Sequence, residues 1–255
     1  MDALMEQRLR GGGCKPVTNP LPIDAEREWP VTDFSPLRSA APAGACDISW
    51  LQWINPVDDQ GQTGLCWAFA FAGGAEAFYR RGDQSIAEGE QIDAELIARE
   101  VGVPLLGYDC VQEGATRPDG WRVMLAAGVF PPDNELRQCQ SLDDETAGLE
   151  VCPLFCGHNV TPEWERPSAV NGYFRPEGKP DGGHATIEVA RLVRAGNSYE
   201  VYANSWGRRW GWYGCGMMHR TASRRTQVPD GKYRLLTGPY DARTWTGWRK
   251  WLRKK

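Results

Sequence analysis

Nowhere in the chain do eighteen apolar residues follow one another, so no stretch has the length and apolarity of a membrane-spanning helix. The start, Met1-Asp2-Ala3-Leu4-Met5-Glu6, carries no apolar run behind a basic stretch, so the pattern of a secretory leader is missing. A charge excess of one sign is missing too. A formal net charge of -4 over 255 residues makes no global field to draw the whole protein onto nucleic acid or a lipid surface. Neither nucleic acid nor a membrane span is therefore expected among its partners. There is no internal repeat and no long low-complexity segment. Lysine is scarce, with six among the 29 basic residues, and histidine scarcer, with three.

What is present is ordinary in bulk and unusual in detail. Apolar residues make up 41% and charged residues 24%, the balance of a folded globular chain long enough for two closely packed lobes. Eight cysteines exceed what a reducing cytosol favours, yet the chain is far larger than a disulfide-stapled mini-domain. A cytoplasmic product that ends in an oxidising particle, such as a virion, satisfies both facts.

Composition divides the chain into parts. Residues 1–46 hold Pro16, Pro20, Pro22, Pro30, Pro36 and Pro42 with little periodic pattern; they read as an extended arm that needs another surface to lie on. The main domain is expected over 47–240, helical to about residue 145 and rich in strands from 146. Its first helix is expected over Trp67–Arg81. Seven of the eleven residues from Trp67 to Ala77 are Ala or Gly, so neighbouring elements can approach it closely. Further helices are expected near Glu88–Val101 and Gly120–Ala127. Ala185–Val193 and Ser198–Asn204 read as strands joined by a turn at Arg194-Ala195-Gly196-Asn197. Helices first and strands later make an α+β class. In the tail, residues 241–255, Trp245, Trp248, Trp251 and Leu252 share a helical face among basic side chains. Such a stripe docks on its own domain or on an assembly partner, and arm and tail are both expected to act as attachment segments.

Three residues suit nucleophilic chemistry. A thiol attacks as thiolate, which the oriented amides of a helix N-terminus favour, and Cys66 stands where the first helix begins, behind Gly61-Gln62-Thr63-Gly64. A small buried side chain is the plainer reading of a free cysteine. His184 follows Asp181-Gly182-Gly183 and precedes a strand; taken alone it reads as a loop residue. If the two strands form a hairpin, however, His184 and Asn204 meet at one end of it. An amide there can hold the imidazole in the tautomer that faces the thiol.

Around these residues the sequence resembles the papain-like cysteine peptidases. Asp59-Gln60-Gly61-Gln62-Thr63-Gly64-Leu65-Cys66-Trp67-Ala68-Phe69 is similar to the family's active-site segment, Gly183-His184-Ala185 to its histidine segment, and Asn204-Ser205-Trp206-Gly207 with Trp210-Gly211 to its asparagine segment. The resemblance spans roughly 47–217. It implies a two-lobe fold, an N-terminal helical lobe and a C-terminal β-barrel-like lobe, with the site in the cleft between them. It implies a cysteine endopeptidase acting on protein or peptide, with no cofactor and no metal. Cys66 would be the nucleophile, His184 its base, Asn204 the orienting residue and Gln60 the side-chain donor to the oxyanion. Gly64, Trp67, Gly183 and Trp206 would lie along the substrate, with Trp206 shielding the His–Asn bond. Departures from the pattern are Thr63 in place of a usual cysteine, Leu65 before the nucleophile, and no recognisable glycine-paired substrate loop in Val111–Thr116. Cys110 and Cys139 fall where the family often has a disulfide. Cys139, Cys152, Cys156 and His158 offer zinc as another reading. A virion or assembly protein that keeps the fold without the activity, and an amidase or transferase using the same dyad, remain alternatives.

Overall fold

Helix α1, Cys66–Arg81, is built from small residues because two elements press into it. A β-carbon placed on Gly74 would stand 2.5 Å from the Phe155 ring, and one on Gly73 would stand 3.6 Å from Ile187 Cδ1. Alanine at position 74 would therefore push Phe155 away. The computed structural model describes residues 48–54, 57–82, 86, 90–168, 172–194, 197–236 and 245–254. The expected arm, residues 1–46, lies outside them.

The remaining helices start on side-chain caps. Asp93 accepts from Leu96 N at the start of α2, Ala94–Ile97, which runs through a π-helical Ala98–Gly102 into α3, Val103–Leu106. Thr116 caps α4, Arg117–Ala126, and Ser141 caps α5, Leu142–Val151. The helix expected near Glu88–Val101 thus begins later, because Glu90–Ile92 is strand β2.

Strands β1, Ile48–Ser49, β3, Glu135–Gln138, β4, Leu154–Val160, β5, Gly182–Arg194, β6, Asn197–Ala203, β7, Cys215–His219, and β8, Gln227–Leu236, form one sheet. Its order is β3-β8-β4-β5-β6-β7, with β1 beside β5. Helix α6, Arg220–Thr226, joins β7 to β8. The two expected strands are present, as the β5–β6 hairpin. The expected barrel does not close among the described residues. The free side of β7 is taken up by the 172–174 segment, where Met217 N donates to Gly172 O and Phe174 N to Met217 O, so β3 stays an opposite edge.

The chain crosses between the lobes at both ends. Near the start, β1 joins the sheet; at the end, β9, Leu252–Lys254, pairs with β2 in the helical lobe. The described part of the tail, 245–254, does not form the expected helix. It makes a 3-10 turn, Gly247–Trp251, before the strand. Its indoles are anchored: Trp245 Nε1 donates to Gly128 O at 3.0 Å and Trp251 Nε1 to Ala127 O at 2.8 Å. Trp248 is fully buried and stacks on Tyr79, ring centroids 5.2 Å apart. This part of the tail docks on its own domain.

Beneath the sheet lies a buried ionic cluster. Lys232 Nζ stands 2.6 Å from Glu188 Oε2 and 2.7 Å from Glu200 Oε2, with 1% of its side chain exposed. Arg191 adds a bond to Glu188 at 2.8 Å and one to Glu145 at 3.2 Å. Taking these charges out of water is unfavourable, and mutual attraction offsets it only while each keeps its partner. We therefore expect Lys232→Met to lower unfolding stability by about 3–5 kcal/mol, because two buried carboxylates lose their shared cation. Urea denaturation checks this value.

Candidate active site

The loop ahead of Cys66 is held by its own hydrogen bonds and by a distant segment. Gly61, at φ 61, turns the chain, and its N–H donates to Asp59 Oδ1 at 2.9 Å. Gln60 Nε2 donates to Thr63 O at 2.8 Å, and Gln60 Oε1 accepts from Ser205 Oγ. The backbone does the same work: Gln60 N donates to Ser205 O at 2.8 Å and Gly207 N to Asp58 O at 2.9 Å. Asp59 and Trp206 pair between them as a single antiparallel bridge. Cys66 is the first residue of α1 and 1% exposed, and no side chain caps that end. The first-turn amides there favour negative charge close by.

His184 sits near the start of β5, 3% exposed. Its Nε2 meets Asn204 Oδ1 at 2.5 Å, and Ser205 N donates to the same oxygen at 2.7 Å. A backbone N–H can only donate, so the shared atom is the amide oxygen and His184 Nε2 carries the hydrogen. In the neutral ring the lone pair is then on Nδ1. Burial pushes the His184 pKa down to about 4, although the hydrogen bond His184 donates to Asn204 works upward. Trp206 covers the ring, centroids 4.6 Å apart. Behind it stands Trp164, 6.3 Å from His184 and fully buried, whose carbonyl accepts from Trp210 Nε1 at 2.6 Å. No sequence motif marks Trp164; it arrives on the 3-10 turn Pro162–Glu165.

Gln60, His184, Asn204 and Trp206 are therefore joined in one network. The other expected residues make close packing contacts. Trp67 is 1% exposed and its indole N–H is directed to Cys110 O at 3.3 Å, so the ring belongs to the interior of the helical lobe. Gly183 pairs with Asn159 inside the sheet. Gly64 donates to Val111 O at 2.7 Å, and a β-carbon on it would stand 2.5 Å from Gly114 N. The structure thus brings the 111–114 loop against Gly64, although no loop pattern was recognisable there in the sequence.

The expected Cys110–Cys139 disulfide is not formed; both thiols are free. Cys110 is buried against Ala98 O in the helical lobe, whereas Cys139 follows the edge strand β3, its backbone N donating to Lys232 O. The zinc reading fails as well among the described residues. Cys152 points to Gly74 O, Cys156 to Leu154 O and His158 to Thr226, and these groups do not converge on a shared centre.

The displaced His184 pKa makes stability depend on pH. The unfolded imidazole binds a proton near its ordinary 6.5, the folded one only near 4. Between those values the unfolded state holds more protons, so stability falls as pH drops. His184 should contribute a loss of about 2–3 kcal/mol between pH 7 and pH 4.5. Urea midpoints of the wild type and His184→Gln at both pH values check it. The variant should show a shallower acid loss, with buried His158 retaining its own share.

No protein-family model matches this chain, and no curated protein matches it by sequence. Solved structures do match by fold. Procathepsin L 3 from the larval midgut of Tenebrio molitor superposes with a TM-score of 0.61 at 15% identity, covering 91% of this chain and 78% of that one. Xylellain, a cysteine protease from Xylella fastidiosa, gives 0.60 at 17% identity, covering 89% and 97%. The bromelain protease from Ananas comosus, in complex with the E64 inhibitor, gives 0.57 at 15% identity, covering 75% and 99%. At these identities the likeness speaks for architecture, and the fold this chain adopts is that of the papain-like cysteine proteases.

Proposed function

We propose that the protein is a cysteine peptidase in which Cys66 attacks and His184 moves the proton. Asn204 orients the imidazole, and Gln60 with the Cys66 N–H receives the oxyanion. The observation that carries this reading is the seam between Gln60 and Ser205. The loop leading to Cys66 is bonded, through backbone and side chain, to the residue next to Asn204, which holds His184.

The packing of α1 on β5 adds support. Gly73 faces Ile187. Further along α1, the Arg81 guanidinium lies 4.4 Å from the Trp50 ring, and Trp50 N donates to Val189 O. The helix and the strand therefore run the same way. Seven residues back along α1 from Gly73 is Cys66, and three back along β5 from Ile187 is His184. Each step covers about 10 Å, so both residues come to the same end of the interface.

In the reaction, His184 Nδ1 takes the thiol proton as sulfur bonds to the substrate carbonyl carbon. One hydrogen of Gln60 Nε2 is directed to Thr63 O; the other is left for the oxyanion, where it would lower the barrier by about 3–4 kcal/mol. The C–N bond breaks, and the leaving amine takes the proton from His184. Water, giving a proton to the same nitrogen, then cleaves the thioester and restores the thiol. An extended peptide lying along the Gly64 and 111–114 backbones would present its carbonyl to the sulfur.

Cys66→Ala should abolish hydrolysis of casein and of a mixed peptide-amide substrate set while leaving the fold intact. Turnover retained in that variant would reject the reading.

A further inference from the structure

The C-terminal strap reaches the catalytic seam. Strand β9 pairs Leu252 with Ile92, Arg253 with Gln91 and Lys254 with Glu90, and Asp93 N donates to Trp251 O at 2.9 Å. From that position Arg253 Nη2 reaches Asp58 Oδ2 at 3.1 Å, and its Nη1 stands 3.8 Å from Asp93 Oδ1. The Arg253 side chain is 34% exposed and that of Asp58 15%, so the pair is partly shielded from solvent. The Trp245, Trp248 and Trp251 indoles fix the strap behind it.

Asp58 is the first residue of the seam. Its carbonyl accepts from Gly207 N, Asp59 bridges Trp206, and Gln60 N donates to Ser205 O. Arg253 therefore pulls on the side chain of the residue whose backbone begins the Gln60–Ser205 pairing. Asp93, its other acid, caps helix α2. The guanidinium thus ties the catalytic loop to the helical lobe from a site 195 residues away in the chain.

We propose that Arg253 is a positioning residue: through Asp58 it holds Gln60 and the Asn204 segment in their working places. This rests on the peptidase reading given above, and it makes the strap part of the site's machinery rather than an end merely stowed on the surface. A donor to the oxyanion acts mainly in the transition state, so its displacement should lower kcat more than it raises KM.

The test uses the full chain with Arg253→Ala, Arg253→Lys, Asp58→Asn and the double variant Arg253→Ala/Asp58→Asn. Lys250→Ala, on the same strap, is the control. Amide hydrogen exchange reads the seam without needing turnover. Exchange at Gln60 and Gly207 should quicken about tenfold in Arg253→Ala while Val201 and Tyr202 in β6 keep their protection. In peptide hydrolysis kcat should fall about tenfold with KM little changed. Lysine should restore part of it, and the double variant should be no worse than Asp58→Asn alone. Unchanged exchange at Gln60 and Gly207, or losses from the two sites that simply add, would overturn the proposal. Failure of the peptidase reading would show differently: no Cys66-dependent turnover in the wild type, whatever the exchange data say about the tether.

Discussion

Two backbone hydrogen bonds, Gln60 N to Ser205 O and Gly207 N to Asp58 O, join segments about 150 residues apart, and the geometry of the site follows from that join. One side of the seam leads into α1 and Cys66; the other carries Asn204, which holds His184. A shift of the seam would move Gln60 and Asn204 together. Buried side chains reinforce it, with Ser205 Oγ bonded to Gln60 Oε1 and Trp206 lying over the imidazole. The seam's own bonds join neutral groups, and the Arg253–Asp58 pair beside it is the contact that salt would screen.

The rest of the fold presents those segments to each other. Glycines on α1 let β4 and β5 lie close against it, which sets the distance between the helix start and the strand start. The chain ends cross over, β1 into the sheet and β9 onto the helical lobe, so separation of the lobes would have to unpair both. The ionic cluster of Lys232, Glu188, Glu200 and Arg191 fixes the strands of the sheet relative to one another from inside. Its contribution lies in specific partnering, since a well-packed apolar replacement of the whole group would cost little or nothing.

Much of this was legible in the sequence, and the failures have physical reasons. Cys66, His184 and Asn204 stood out because few residue types suit nucleophilic chemistry and the strand pattern placed two of them together. Helix α1 was readable from its small residues to within one position. The ionic cluster was not, because its members are spread over β5, β6, β8 and helix α5 and only the fold brings them together. Trp164 was hidden because it lies on a short 3-10 turn that no motif marks and only the fold carries to His184. In the tail, tryptophans three apart fit an α-helical face and a 3-10 turn equally well. The disulfide expectation came from family likeness at Cys110 and Cys139, whereas the chain puts one thiol inside the helical lobe and the other beside an edge strand.

The central claim is that Cys66 and His184 act as one unit. A peptide-like epoxide reagent that alkylates thiols, followed by mass spectrometry of the modified peptides, tests it in the wild type and in His184→Ala. The account predicts a single adduct at Cys66 and a rate about a hundredfold lower without the imidazole, while Cys110, Cys152 and Cys156, whose thiols are held protonated by a raised pKa, stay unmodified. Alkylation of Cys66 at the same rate in both proteins, or adducts spread over several cysteines, would contradict it.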